Sequence, residues 1–222
     1  MKQQKPASTI QKALNVWAIS VFIWSIYRYY FKTSLPIWFD EFIAKPMVFL
    51  GPLSYYVTRY EKKNVLAAVD LKFKNIRADV ILGLVIGLIF FSAAFFGYLT
   101  KYHSLTPLVS KLSISWILFY ILISFASGIS EEILSRGFVL KRLYEESKNV
   151  ITSTTFASFL FFFLHVPILF SNPKFTGVIL IQVMMTDIVL SFAVSFLYLQ
   201  RRSVALPILI HAFYNLSIYL FI

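Results

Sequence analysis

Apolar positions in this chain fall in long unbroken runs, interrupted by short polar stretches, rather than in the stripe of a surface helix. Seven windows stand out, at residues 13–27, 36–57, 79–99, 115–140, 150–170, 177–199 and 203–222, of which 36–57 is the most polar. A helix needs about 20 mostly apolar residues to cross the hydrocarbon core of a bilayer, and six or seven of these windows qualify. The period-two alternation of a membrane barrel is absent. The pattern predicts an all-α, polytopic helical membrane protein with about seven transmembrane helices. No internal repeat or low-complexity linker divides it, so residues 1–222 read as a single integral membrane domain. Gly83-Leu-Val-Ile-Gly87 offers a small-xxx-small face for close helix packing. The Asn215-Leu-Ser217 sequon lies inside an apolar run and is set aside as a glycosylation site.

Composition removes the soluble alternatives. Hydrophobic residues make up 59% and charged residues only 14%, against roughly 25% charged in soluble domains. That excludes a cytosolic globule, a disordered chain and a nucleic-acid binder with a solvated basic face. With no cysteine, disulfide frameworks, thiolate catalysis and Cys-based zinc sites are excluded together. The net charge of +11 then reads as the positive-inside bias of membrane loops. If the N-terminus is cytosolic and all seven helices cross, the inner side holds 15 of the 21 basic residues: Lys2, Lys5, Lys12, Arg59, Lys62, Lys63, Lys72, Lys74, Arg77, Arg136, Lys141, Arg142, Lys148, Arg201 and Arg202. The outer side holds Arg28, Lys32, Lys101, Lys111 and Lys174, with Lys45 inside the second window. This bias predicts a cytoplasmic N-terminus and an outer C-terminus. Residues 59–77 read as a topology determinant resting on anionic headgroups. The first window follows three lysines without a small-x-small cleavage site, as in a retained signal anchor.

Against this background the ionisable groups inside the apolar runs need a reason, since each costs about 2.5–3.5 kcal/mol on insertion scales. They are Asp40, Glu41 and Lys45; Glu131, Glu132 and Arg136; His165; Asp187; and His211. Glu132 and Arg136 are spaced i,i+4 and pair on one helix face. Glu131 is rotated about 100° away, which leaves it as the free carboxylate and a candidate general base. His211 and Asn215 are also i,i+4 and face one way, as two donors of an oxyanion hole would. The competing structural readings are a polar helix end for the Glu-Glu-Arg group and interhelical hydrogen bonds for the histidines. Glu41 and Lys45, beside Pro46, read as a self-neutralising pair at a kink, and Asp187 as a hydrogen bond to a neighbouring helix. Depth tests the idea of a shared site. Glu131, ten residues before Lys141, and His211, nine after Arg202, both sit about 15 Å from the basic boundary, whereas His165, 17 after Lys148, sits at about 25 Å. Counted in this way, His165 is two turns too deep.

Glu-Glu-x-x-x-Arg, then Phe-x-x-x-His, then His-x-x-x-Asn on successive apolar helices resembles the CAAX endopeptidase and bacteriocin-processing family of intramembrane glutamic endopeptidases. The matching residues are Glu131, Glu132 and Arg136; Phe161 and His165; and His211 and Asn215. Gly137 and Leu206-Pro207-Ile208 also fit, and Ser135 stands where the family often has a bulky aromatic. The resemblance covers a catalytic core of about 114–216. It implies metal-free and cofactor-free hydrolysis of a peptide bond in a peptide or membrane-protein substrate within the bilayer, with no nucleic-acid partner. Glu131 with His165 would activate water, His211 and Asn215 would stabilise the oxyanion, and Glu132, Arg136 and Phe161 would support the geometry. Peptide maturation and bacteriocin self-immunity are the roles it suggests. The Lys-, Ile- and Phe-rich composition leans toward an AT-rich bacterium, hence a bacterial cell membrane, and away from a prenylated substrate. Three other readings stay open: a non-catalytic membrane interaction or immunity protein on the same scaffold, a metal centre built on the Glu and two His, and a transporter using Asp40, Glu41, Lys45 and Asp187.

Overall fold

The computed structural model describes residues 8–31, 35–72, 75–109, 113–171 and 176–221. The basic residues Lys2, Lys5, Lys32, Lys74, Lys111 and Lys174 lie outside them. Every one of the seven apolar windows holds a helix, and no strand occurs among the described residues. Helix α1 is Thr9–Phe31. The second window forms α2, an irregular helix that passes through Ile37–Phe39, Asp40–Ala44, Pro46–Leu50, Gly51–Tyr56 and Val57–Glu61, alternating α and π segments. Then follow α3 (Ile76–Tyr102), α4 (Ile114–Ser147), α5 (Val150–Ser171), α6 (Gly177–Arg201) and α7 (Ala205–Phe221). Among the described residues five of these, α1 and α3 to α6, are long and apolar enough to cross a membrane by length and composition. The 17-residue α7 is shorter, and α2 is broken by its own charges and prolines. The protein is an all-helical, polytopic integral membrane protein.

Its surface is apolar and its centre is charged. Ile114 and Ile151 are 78% and 79% exposed, where lipid would cover them, while Glu132 and Arg136 are each 1% exposed. In lipid this is the stable arrangement, because a buried charge can find a charged partner inside the bundle and cannot find one in hydrocarbon. Two apolar clusters flank that centre. One joins α1, α2, α4 and α5 around Trp24, Phe49, Leu134, Phe138 and Phe161; the other joins α6 and α7 around Leu190, Val194, Leu206 and Ile210.

Small residues decide how close the helices come. A Cβ on Gly83 would lie 2.9 Å from Leu209 Cβ, and one on Gly87 would lie 2.6 Å from Phe213 Cγ. The small-xxx-small face of α3, whose spacing predicts close helix packing, is therefore the seat of α7. On the opposite side, a Cβ on Gly128 of α4 would lie 3.3 Å from the Ile208 carbonyl, 3.6 Å from Ala212 N and 3.8 Å from His211 Cβ of α7. Pressed from two sides, α7 delivers His211 to the centre of the bundle.

The chain has only seven glycines, so several helices end on charged residues in the left-handed conformation. Lys62, His103, Lys148 and Arg202 are C-caps with φ between 50° and 56°. The end of the bundle at Lys62, Lys148 and Arg202 is stitched by ion pairs and a backbone hydrogen bond. Arg142 Nη2 donates to Glu61 at 2.7 Å, Arg201 Nε donates to Asp79 at 2.7 Å, and Ile10 N–H donates to Glu146 at 3.0 Å. Asp70, also at positive φ, meets Lys72 and Lys141 at 2.7 and 3.0 Å and accepts from Tyr198 at 3.1 Å. Burial alone would raise the Asp70 carboxyl, but the two ammonium groups outweigh it and hold it below its ordinary value.

Candidate active site

Helix α4 runs as a regular α-helix to Glu132, caps onto Ile133 and continues as a π-helix over Ile133–Leu140. A π segment inside an α-helix is costly and clusters at functional sites. Here it begins directly after the two glutamates. Glu132 accepts from Arg136 Nη1 at 2.8 Å, which is the i,i+4 pair the spacing predicts. Arg136 reaches on to α6, donating to Ser191 Oγ at 2.8 Å and to its carbonyl at 3.3 Å, and its guanidinium lies 3.9 Å over the Phe161 ring. One arginine thus ties α4 to α5 and α6. The same Glu132 oxygen lies 2.8 Å from His211 Nδ1 on α7.

Glu131 sits in a different environment. Its Oε2 lies 3.0 Å from His165 Nε2 and 3.6 Å from His211 Nε2. Its Oε1 accepts from Ser127 at 3.0 Å and from Lys45 Nζ at 2.7 Å. The expectation that Glu131 is left free is therefore corrected. Arg136 does leave it alone, but α2, 86 residues earlier, supplies a cation in its place. Glu41 and Lys45 do form their i,i+4 pair, at 2.8 Å, yet this explains only part of what Lys45 touches.

His165 is fixed by α5 and α6 together. Its Nδ1 lies 3.1 Å from the Phe161 carbonyl and 3.4 Å from Asp187 Oδ2. Asp187 thus meets the neighbouring helix, as its isolation in an apolar run suggests, and the group it meets is an imidazole of the cluster. Phe161 packs on both histidines, with ring centroids 4.6 Å from His165 and 5.6 Å from His211. Asn215 lines the same cavity as Glu131, His165 and Asp187.

The depth mismatch disappears once the turns are located. The α4–α5 turn is at Lys148, with Glu131 17 residues before it and His165 17 after it, so the two reach equal depth. The α6–α7 turn lies deeper than its arginines suggest. Val204 and the segment around Val69 pack on Gly137, where a Cβ would meet the Val69 carbonyl at 2.6 Å and Val204 Cγ1 at 3.1 Å. From that level, six residues along α4 and seven along α7 lead to Glu131 and His211. Lys141 was a poor ruler because the helix carries on for two turns beyond it.

A cavity of about 270 Å³ extends from this cluster. Lys45, Ser127, Glu131, His165, Asp187 and Asn215 form its polar part, and Leu35, Ile37, Ile168, Leu169 and Ile218 form its apolar part. The ion pair of Arg28 with Asp40, at 2.6 Å, and the Tyr27 hydroxyl on the same carboxylate stand beside it. These outer residues belong to the far ends of α1, α5 and α7 and the start of α2, opposite the basic turns at Lys62, Lys148 and Arg202.

The cluster holds a carboxylate and two imidazoles whose nearest donor atoms lie within 4.8 Å of one another, and Glu131, His165 and His211 are the residues that could hold a metal ion. The Lys45 ammonium on the same carboxylate opposes a dication at that point. The arrangement otherwise offers a buried carboxylate and two imidazoles around one point, with the Asn215 side chain on the same cavity.

No curated protein and no solved structure matches the chain. Residues 113–217, which contain Glu131, His165, His211 and Asn215 but neither Glu41 nor Lys45, match one family. Over that segment, just under half of the chain, the sequence is similar to the type II CAAX prenyl endopeptidase Rce1-like family.

Proposed function

We propose that the chain is a glutamic endopeptidase that hydrolyses a peptide bond within the membrane, with Glu131 as the base. The observation that supports this best is the convergence of Glu131 Oε2 with His165 Nε2 and His211 Nε2, at 3.0 and 3.6 Å, from three helices. In this reading the catalytic unit is the segment of about 114–216 within a single membrane domain. Glu131 takes a proton from a water bound beside Oε2 and His165 on the cavity side, and the resulting oxygen attacks the scissile carbonyl. His211 Nε2 and the Asn215 amide donate to the oxyanion. The proton on Glu131 then passes to the departing amine, which leaves the carboxylate ready for the next turnover. His211 Nδ1 lies 2.8 Å from Glu132, a contact that fixes the ring with Nε2 turned toward Glu131. Asp187 and the Phe161 carbonyl orient His165 in the way a buried carboxylate orients a catalytic imidazole.

The substrate is a peptide or membrane-protein segment of a bacterial cell. The positive-inside bias puts the N-terminus and the basic turns in the cytoplasm, so the cavity opens toward the outer leaflet. An extracytoplasmic peptide, as in peptide maturation or bacteriocin self-immunity, reaches such a site directly. Comparing the membrane peptidomes of cells that carry wild type or Glu131→Gln tests the proposal: a set of fragments present only with wild type is expected, and identical peptidomes would refute it.

A second reading has its own observation, the three metal-competent side chains at 4.8 Å. Under it, strong chelation abolishes cleavage and elemental analysis finds a stoichiometric metal. Under the glutamic reading, cleavage survives chelation unchanged.

A further inference from the structure

Lys45 lies outside the family segment and contributes to the reacting carboxylate all the same. It is 6% exposed, and its ammonium contacts Glu131 Oε1 at 2.7 Å, Ser127 Oγ at 2.7 Å and Glu41 Oε2 at 2.8 Å. An ammonium has three N–H donors, and three oxygens surround this one. If neutralising Glu41 were its whole purpose, the helical i,i+4 contact would suffice. Instead the broken course of α2, π-helical before and after Lys45, turns the side chain into the centre of the bundle. There it divides the Glu131 carboxylate into two unlike oxygens. Oε1 accepts from Lys45 and Ser127, while Oε2 faces the two imidazoles.

We propose that Lys45 is a positioning residue of the hydrolytic site. It pins one oxygen of Glu131, aims the other at the point between His165 and His211, and is itself held from behind by Glu41. The inference rests on the reading of Glu131 as the base. It makes α2 a part of the site, so that residues 114–216 alone are an incomplete enzyme. Misplacing a reacting group by about an ångström costs on the order of 100-fold in rate, and that is the scale expected when the pin is removed.

The test uses the full chain in lipid nanodiscs and an internally quenched fluorogenic peptide that the wild-type protein cleaves. Lys45→Met is expected to lower kcat about 100-fold with KM changed less than threefold, because substrate binding elsewhere in the cavity is intact. It also leaves Glu41 and Glu131 buried together without a cation, so this variant alone could be inactive through unfolding. The double variant Lys45→Met with Glu41→Gln removes that difficulty. Its thermal midpoint should return toward wild type while kcat stays about 100-fold down. Lys45→Arg, which restores a cation, should recover part of kcat. Wild-type kcat in the double variant would overturn the proposal, since Lys45 would then be only the counter-ion of Glu41. Failure of the underlying reading looks different: Glu131→Gln would be active, whatever the Lys45 variants do.

Discussion

Removing Arg136 exposes what holds the centre of the bundle together. The guanidinium is 1% exposed, donates to Glu132 and Ser191, both at 2.8 Å, and lies 3.9 Å over the Phe161 ring. Arg136→Met preserves most of the side-chain volume and removes the charge. Glu132 is then left buried with His211 as its remaining partner at 2.8 Å. Breaking a buried pair from one side costs about 3–5 kcal/mol, because the orphaned charge cannot reach water. For a protein of this length each kcal/mol is worth about 2–4 °C, so the thermal midpoint should fall by about 6–20 °C. The assay is thermal unfolding of purified protein in detergent, followed by tryptophan fluorescence and circular dichroism. Arg136→Met with Glu132→Gln neutralises both partners and keeps a polar group facing His211. It should recover at least half of the loss, since a buried pair replaced as a whole is often close to neutral. A midpoint within 2 °C of wild type for the single variant would refute the reasoning, and so would a double variant as unstable as the single one.

Three further outcomes are expected. Asp70 lies in a turn, and its folded-state carboxyl is held below its ordinary value, so its pairs with Lys72 and Lys141 stabilise the fold above about pH 4 and the benefit is lost as pH falls through the lower folded value. Asp70→Asn should accordingly melt lower than wild type at pH 7, with a gap that narrows as pH falls below about 4; a gap that widens on acidification would contradict this. Gly137→Ala forces a Cβ to 2.6 Å from the Val69 carbonyl, an overpacking worth about 1–3 kcal/mol, and should lower the midpoint in the same unfolding assay. The native chain has no cysteine, so single cysteines report topology without background. In intact spheroplasts a membrane-impermeant maleimide should label Leu35→Cys and should reach Lys148→Cys only after permeabilisation. The reverse pattern would place the cavity on the cytoplasmic side.

What the sequence displays is whatever lies within one helix or recurs in a fixed order. The Glu132–Arg136 pair and the close-packing face at Gly83 and Gly87 follow from helical geometry over three or four residues. The grouping of Glu131, His165 and His211 was legible through the order of the motifs, while the depth count miscast His165 because it measured from charged residues and not from the turns at Lys148 and Arg202. Lys45 could not be placed on Glu131 by any local rule. Its contact spans 86 residues and depends on a π-helical irregularity that hydropathy does not register. The signal available was energetic: a lysine inside an apolar run requires more compensation than one glutamate on its own helix provides. The same signal marked Asp187, whose partner His165 lies on another helix.

In the proposed mechanism the Glu131 carboxylate is the base on which hydrolysis depends. Glu131→Gln keeps the size and a hydrogen-bonding oxygen for Lys45 and Ser127 and removes only the base, so the protein should fold with its thermal midpoint near wild type. Cleavage of a fluorogenic peptide by the purified variant, with wild type in parallel and chelator in both, is the direct measurement. The expected result is turnover by wild type and loss of at least 1,000-fold in the variant, the scale of a missing general base. Turnover by Glu131→Gln at the wild-type rate would contradict the account.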